Sequence, residues 1–137
     1  MEKTILDSNS LLEIDILDKQ HSNLINKGNE LIQLIKDNSS KEDILLNYES
    51  FISLVIEHFQ SEEEYFKAID YEGASHHIEI HEFFVNFLIE SKNNYIKSRT
   101  DLSLTLIKFL NEWAKNHINS MDLSFAKIYK SQKLKLL

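Results

Sequence analysis

The sequence predicts an all-α protein, an antiparallel up-down-up-down four-helix bundle with an irregular N-terminal arm. Three observations carry this. The 137 residues include no proline and only two glycines, Gly28 and Gly73, so little interrupts long helices. Apolar residues recur at helical rather than alternating spacing. The four resulting stripes are separated by short polar stretches, and short connections make antiparallel neighbours. A chain of this length suits a single domain with a sizeable core. Its expected bounds are an arm over 1–13, the bundle over 14–132 and a tail over 133–137.

The first helix is expected to start between Ile14 and Asp18 and to end near Lys36. Its inward stripe is Leu17, His21, Leu24, Gly28, Leu31 and Ile35. Glycine costs about 1 kcal/mol inside a helix, so Gly28 in that stripe implies a close approach of a second helix. Asp37 to Ser40 forms the first loop. Ser39 and Glu42 have the spacing of a capping box and open a second helix that runs to about Asp70. Its stripe, Ile44, Tyr48, Phe51, Val55, His58, Glu62, Tyr65 and Ile69, alternates steps of four and three. Tyr71 to Ala74 makes the second turn. A third helix follows from about Ser75 to Tyr95, with His77, His81, Phe84 and Leu88 inward. Asn93 to Asp101 supplies the third connection, and the fourth helix carries Leu102, Leu106, Phe109, Trp113 and His117 on one face.

In that fourth helix the register changes. Asp122, Phe125 and Tyr129 form a second stripe, reached from His117 by a step of five. At about 100° per residue, five residues of α-helix leave His117 and Asp122 roughly 140° apart. A π-turn between them would bring both to one target, and such turns gather at functional sites.

Each helix thus places potential ligands in its core stripe: His21; His58 and Glu62; His77 and His81; His117 and Asp122. A four-residue step returns to nearly the same helix face, so the paired residues can aim at one point. A carboxylate in a core stripe is costly unless it is paired or bound to metal. One core histidine is ordinarily a hydrogen-bonded core histidine, but five histidines and two acids in four stripes form a constellation. His76, about 100° round from His77, falls outside it on the solvated face. Mixed imidazole and carboxylate ligands suit iron, manganese or zinc.

Composition excludes other classes. The net charge is −7 with no basic stripe outside the tail, which argues against nucleic acid or anionic membrane as a partner. There is no cysteine for disulfide, iron–sulfur or thiolate chemistry. Met1 to Ser10 has no apolar signal region, and no apolar run approaches the ~20 residues of a membrane span. The expectation is a soluble, cytoplasmic protein.

The motifs Ile16-Leu17-Asp18-Lys19-Gln20-His21, His58-Phe59-x-x-Glu62-Glu63, His77-x-x-x-His81 and Trp113-x-x-x-His117-Ile118-x-x-x-Asp122 resemble the signature of the hemerythrins, with single-domain bacterial members the nearest in kind. The resemblance spans about residues 14 to 130. It implies two non-haem iron ions with an oxo or hydroxo bridge, both bridged by Glu62 and Asp122. His77, His81 and His117 would complete one iron. His21 and His58 would leave the other with an open position for O2. Leu24, Phe59, Trp113, Ala114 and Ile118 would line the pocket over that position, since each adjoins a ligand or lies one turn from one. The chain departs from the family pattern at Tyr65-Phe66, where leucine and methionine are common. It departs again at Glu72, in place of a usual proline, and at Ala114, in place of a larger aliphatic.

The resemblance implies a non-enzymatic role, reversible O2 binding for storage, delivery or buffering; the site needs no catalytic base. Ferritin-like di-iron enzymes use more carboxylates, and the histidine-rich set here favours carriage over oxygenation. The competing reading is O2, NO or peroxide sensing, or redox protection, acting through a protein partner that the sequence leaves unspecified. A purely structural bundle would leave the two buried acids unexplained.

Overall fold

The computed structural model describes residues 14–98, 103–113, 117 and 121–135. Its helices are α1 (Asp15–Lys36), α2 (Lys41–Ala68), α3 (Ala74–Ser98), α4 (Ser103–Glu112) and α5 (Leu123–Lys135). Between α4 and α5 the described residues Trp113, His117, Met121 and Asp122 are π-helical, the widening that the five-residue step demands. The pair α4 and α5 stands where one fourth helix was expected.

The order of cross-helix pairs shows the antiparallel course. Gln20 meets Ser61 and Lys27 meets Asn47 between α1 and α2. Glu63 meets His81, Tyr48 meets Leu88 and Glu49 meets Lys92 between α2 and α3. Phe84 packs edge-on against Phe109 between α3 and α4. The helices therefore close a bundle around one continuous interior.

Two tight turns set the register. After α1, Asn38 takes φ 57°, and the N–H groups of Asn38 and Ser39 return to the carbonyls of Ile35 and Leu34. After α2, Asp70 takes φ 50°, and Asp70 and Tyr71 return to Lys67 and Phe66. Both are Schellman endings, with Asn or Asp in the left-handed position that glycine more often fills. The second turn lays Tyr71 against Phe66, ring centroids 5.2 Å apart, the apolar contact this ending favours. Tyr71 then folds over Gly73, where a Cβ would fall 2.9 Å from the tyrosine ring.

The first turn also moves the cap of α2. The expected Ser39–Glu42 box does not form, because Ser39 is spent on ending α1. Ser40 is the N-cap, its hydroxyl accepting from the Asp43 N–H at 3.1 Å. The third connection is shorter than expected, since α3 continues through Asn93 to Ser98. Tyr95 explains this: it packs on the core, and Lys41 sits 5.5 Å over its ring while donating to the Ile96 carbonyl. The arm over 1–13, the 99–102 link and the tail end lie outside the described residues. No helix among the described residues is long and apolar enough to cross a membrane.

The interior has three zones. An apolar core holds Leu24, Leu31, Ile44, Tyr48, Phe51, Val55, Leu88 and Phe109. A smaller one gathers Ile14, Leu17, Phe66, Phe125 and Ala126 at the opposite end. The polar constellation lies between them.

Candidate metal centre

The structure brings His21, His58, Glu62, His77, His81, His117 and Asp122 together, each at most 2% exposed. Among the described residues these are the buried acids and imidazoles. The helices deliver them from all sides: His21 from α1, His58 and Glu62 from α2, His77 and His81 from α3, and His117 and Asp122 from the π-helical segment.

Their atoms fall into two groups that could each hold a metal ion. One comprises Glu62, His77, His81, His117 and Asp122, the other His21, His58, Glu62 and Asp122; within each, the ligand atoms lie within 4.8 Å of one another. In the first group His77 Nε2 and His81 Nε2 each lie 3.1 Å from His117 Nε2. Glu62 Oε1 is 2.9 Å from His81 Nε2 and 3.1 Å from His77 Nε2. Asp122 Oδ1 is 2.8 Å from His77 Nε2 and 3.2 Å from His117 Nε2. The other carboxylate oxygens face the second group. Asp122 Oδ2 is 3.4 Å from His21 Nε2, and Glu62 Oε2 is 4.0 Å from His58 Nε2. Each carboxylate therefore spans the two groups, one oxygen to each.

Hydrogen bonds alone do not satisfy this arrangement. His21 Nε2, His58 Nε2, Glu62 Oε2 and Asp122 Oδ2 are buried and have no hydrogen-bond partner among the described residues. Unpaired buried polar atoms are rare and costly, and four of them converging on one space fit a cation. Metal–nitrogen and metal–oxygen bonds of about 2.0–2.2 Å put two ligand atoms of one ion roughly 3–4 Å apart, the range found here.

The electrostatics agree. Burial and the Asp122 charge push the Glu62 carboxyl up, but hydrogen bonds from His117, His77 and His81 outweigh them and hold it below the usual range. Burial likewise pushes Asp122 up, and His117, His21 and His77 hold it well below. Burial pushes His77 and His117 down, yet the two carboxylates raise both, His117 to about 9. Without metal, protons on these histidines offset the buried negative charge. His58, driven down to about 3 by burial and by neighbouring His21, stays neutral with a lone pair to offer.

A model of the hemerythrin HHE cation binding domain matches residues 12–129. The chain belongs to the hemerythrin family. It is 33% identical to a myohemerythrin of Theromyzon tessulatum over 109 residues, 80% of this chain and 79% of that one. It is 26% identical to a bacteriohemerythrin of Stenotrophomonas maltophilia (strain R551-3) over 113 residues, 82% and 72% of the two chains.

The expected lining residues part company. Trp113 is buried edge-on to His21 and His58, with ring centroids 5.4 and 6.1 Å away, and Leu24 is buried in the same core. Phe59, expected over the His21–His58 half, has its ring 6.0 Å from that of His58 and stacks face to face on His81 at 3.9 Å, so it touches both halves. One residue beyond His58 on α2, its side chain turns toward α3. Ala114 and Ile118 lie outside the described residues. His76 is exposed, on the face expected of it.

Three participants were not singled out from the sequence. Gln20 accepts from His58 Nδ1 at 3.1 Å, and Glu63 accepts from His81 Nδ1 at 2.8 Å. Both stand in the quoted motifs, each next to a constellation residue on its own helix, and each serves a histidine on the following helix. Phe66 is buried with its ring 4.7 Å from that of His77. It lies one residue off the stripe that Tyr65 was expected to continue.

Proposed function

We propose that this hemerythrin-family chain binds O2 reversibly at a non-haem di-iron centre, for oxygen storage, delivery or buffering. The observation that carries the proposal is the pair of carboxylates, Glu62 and Asp122, each divided between two groups of buried imidazole nitrogens. That division suits two ions sharing two carboxylates better than it suits one. His77, His81 and His117 would hold one ion, and His21 and His58 the other. The His21–His58 half would hold its ion with one protein ligand fewer and would leave room there for a small molecule. A ferrous pair supplies the two electrons that reversible O2 binding draws on.

The chain's own residues supply the rest. His58, held neutral by burial, keeps its lone pair available at ordinary pH. Trp113, edge-on to His21 and His58, covers that half with apolar surface that excludes bulk water. Every buried acid and imidazole among the described residues is used as a ligand, which leaves none as a general acid or base and favours a carrier over an enzyme. The relatives' names, myohemerythrin and bacteriohemerythrin, support the same reading.

The test is spectroscopic. The iron-loaded chain is reduced anaerobically, exposed to air and then evacuated. A charge-transfer band that appears with air and disappears under vacuum is the expected result. A band that never forms, or one that vacuum leaves unchanged, contradicts reversible binding.

A further inference from the structure

The two halves of the centre differ in what stands behind their histidines. His81 Nδ1 donates to Glu63 Oε2 at 2.8 Å, and the Glu63 side chain is 27% exposed at the α2–α3 surface. His58 Nδ1 donates to Gln20 Oε1 at 3.1 Å, and the amide is oriented by its own Nε2 donating to Ser61 Oγ at 2.9 Å. With a metal ion bound at Nε2, each contact would hold the remaining ring proton on Nδ1. They differ in charge: one acceptor is a carboxylate, the other a neutral amide. The outer nitrogens of His21, His77 and His117 have no partner among the described residues, and among these residues each half shows one histidine with a partner behind it.

We infer that Glu63 and Gln20 are positioning residues that set the two metal positions electronically apart. This rests on the di-iron reading above. An anionic acceptor strengthens the N–H hydrogen bond and makes the imidazole a more basic ligand, which stabilises the higher oxidation state of the ion it binds. A neutral acceptor fixes the ring without that electron push. The His77–His81–His117 half is thereby biased toward ferric iron. The His21–His58 half, where the open position lies, keeps the more easily reduced ion.

The experiment is a spectroelectrochemical titration of the iron-loaded parent, Glu63→Gln and Gln20→Glu, with iron content and melting temperature recorded for each. Glu63→Gln keeps an acceptor and removes the charge, so the midpoint potential should rise. Gln20→Glu adds a charge behind His58 and should lower it. A merely structural role would change melting temperature or iron content and leave both potentials at the parent value, and that outcome overturns the inference. If Glu63→Gln loses iron, Gln20→Glu decides alone: a lowered potential supports the inference and an unmoved one overturns it. A parent chain that takes up no iron overturns the di-iron reading and this inference with it. A parent with two irons and insensitive potentials overturns this inference only.

Discussion

The two ends of the α2 stripe differ in what folding does for them. From Ile44 to Val55 the stripe meets hydrocarbon from the other helices, and burying each side chain is favourable whatever else is bound. From His58 to Glu62 the same stripe meets imidazoles and a second carboxylate, with nitrogens and oxygens left unpaired. The apolar end is stable by its own chemistry. The polar end is held open by it, preorganised at a cost that protons on His77 and His117 offset in part and that a bound cation would recover.

Deleting side chains at each end separates the two most sharply. Phe51→Ala should cost about 3–5 kcal/mol, the usual loss for a fully buried phenylalanine, by a similar amount with and without metal. Denaturant unfolding of both forms checks this; a loss confined to the metal-loaded form would mean the apolar end is not self-sufficient.

Glu62→Ala or His77→Ala should act in the opposite manner. Either strips the metal, and with it the several kcal/mol that binding contributes, because the remaining buried acid and imidazoles are left unpaired. Metal analysis beside thermal melts tests it. Full metal content with an unchanged melting temperature in either variant would sink the ligand assignment.

pH offers a gentler means of separation. The raised pKa values of His77 and His117 contribute stability that is complete below about 6.5 and is lost as pH rises, for His117 through about 9. The depressed Glu62 and Asp122 contribute stability present above the ordinary carboxylate range and lost as pH falls below it. His58, lowered from 6.5 to about 3, refuses a proton that the unfolded chain accepts, so it too costs stability as pH falls below 6.5. The metal-free chain should therefore be most stable near about pH 6.5. The loaded chain needs its histidines deprotonated, so its optimum should lie higher. Melting curves from pH 4 to 10 in both forms would show coincident optima if the histidines played no part in binding.

The smallest expected effect lies farthest from the centre. Ser40→Ala removes the N-cap of α2 and should cost about 1 kcal/mol with no change in metal content. A change in metal content would show that the turn, and not only the stripe, positions His58 and Glu62.

Much of this contrast was legible in the sequence because helical periodicity reports burial directly. The stripe from Ile44 to Glu62 is buried as its spacing requires, and the step from His117 to Asp122 announced the π-helical segment. What escaped depends on contacts between helices. The cap moved from Ser39 to Ser40 because the preceding helix uses the Ser39 N–H, which no local pattern records. Gln20 and Glu63 look off-face on their own helices and acquire a role only when the next helix presents His58 or His81. Phe59 turned toward His81 for the same reason: its direction is set by packing across α2 and α3, not by its place after a ligand.

The most direct test of the central claim is the metal stoichiometry of the chain loaded anaerobically with ferrous iron and freed of excess. Two groups of ligands sharing Glu62 and Asp122 predict close to two irons per chain. One ion per chain, or a preparation that holds mainly zinc when both metals are offered, would contradict it.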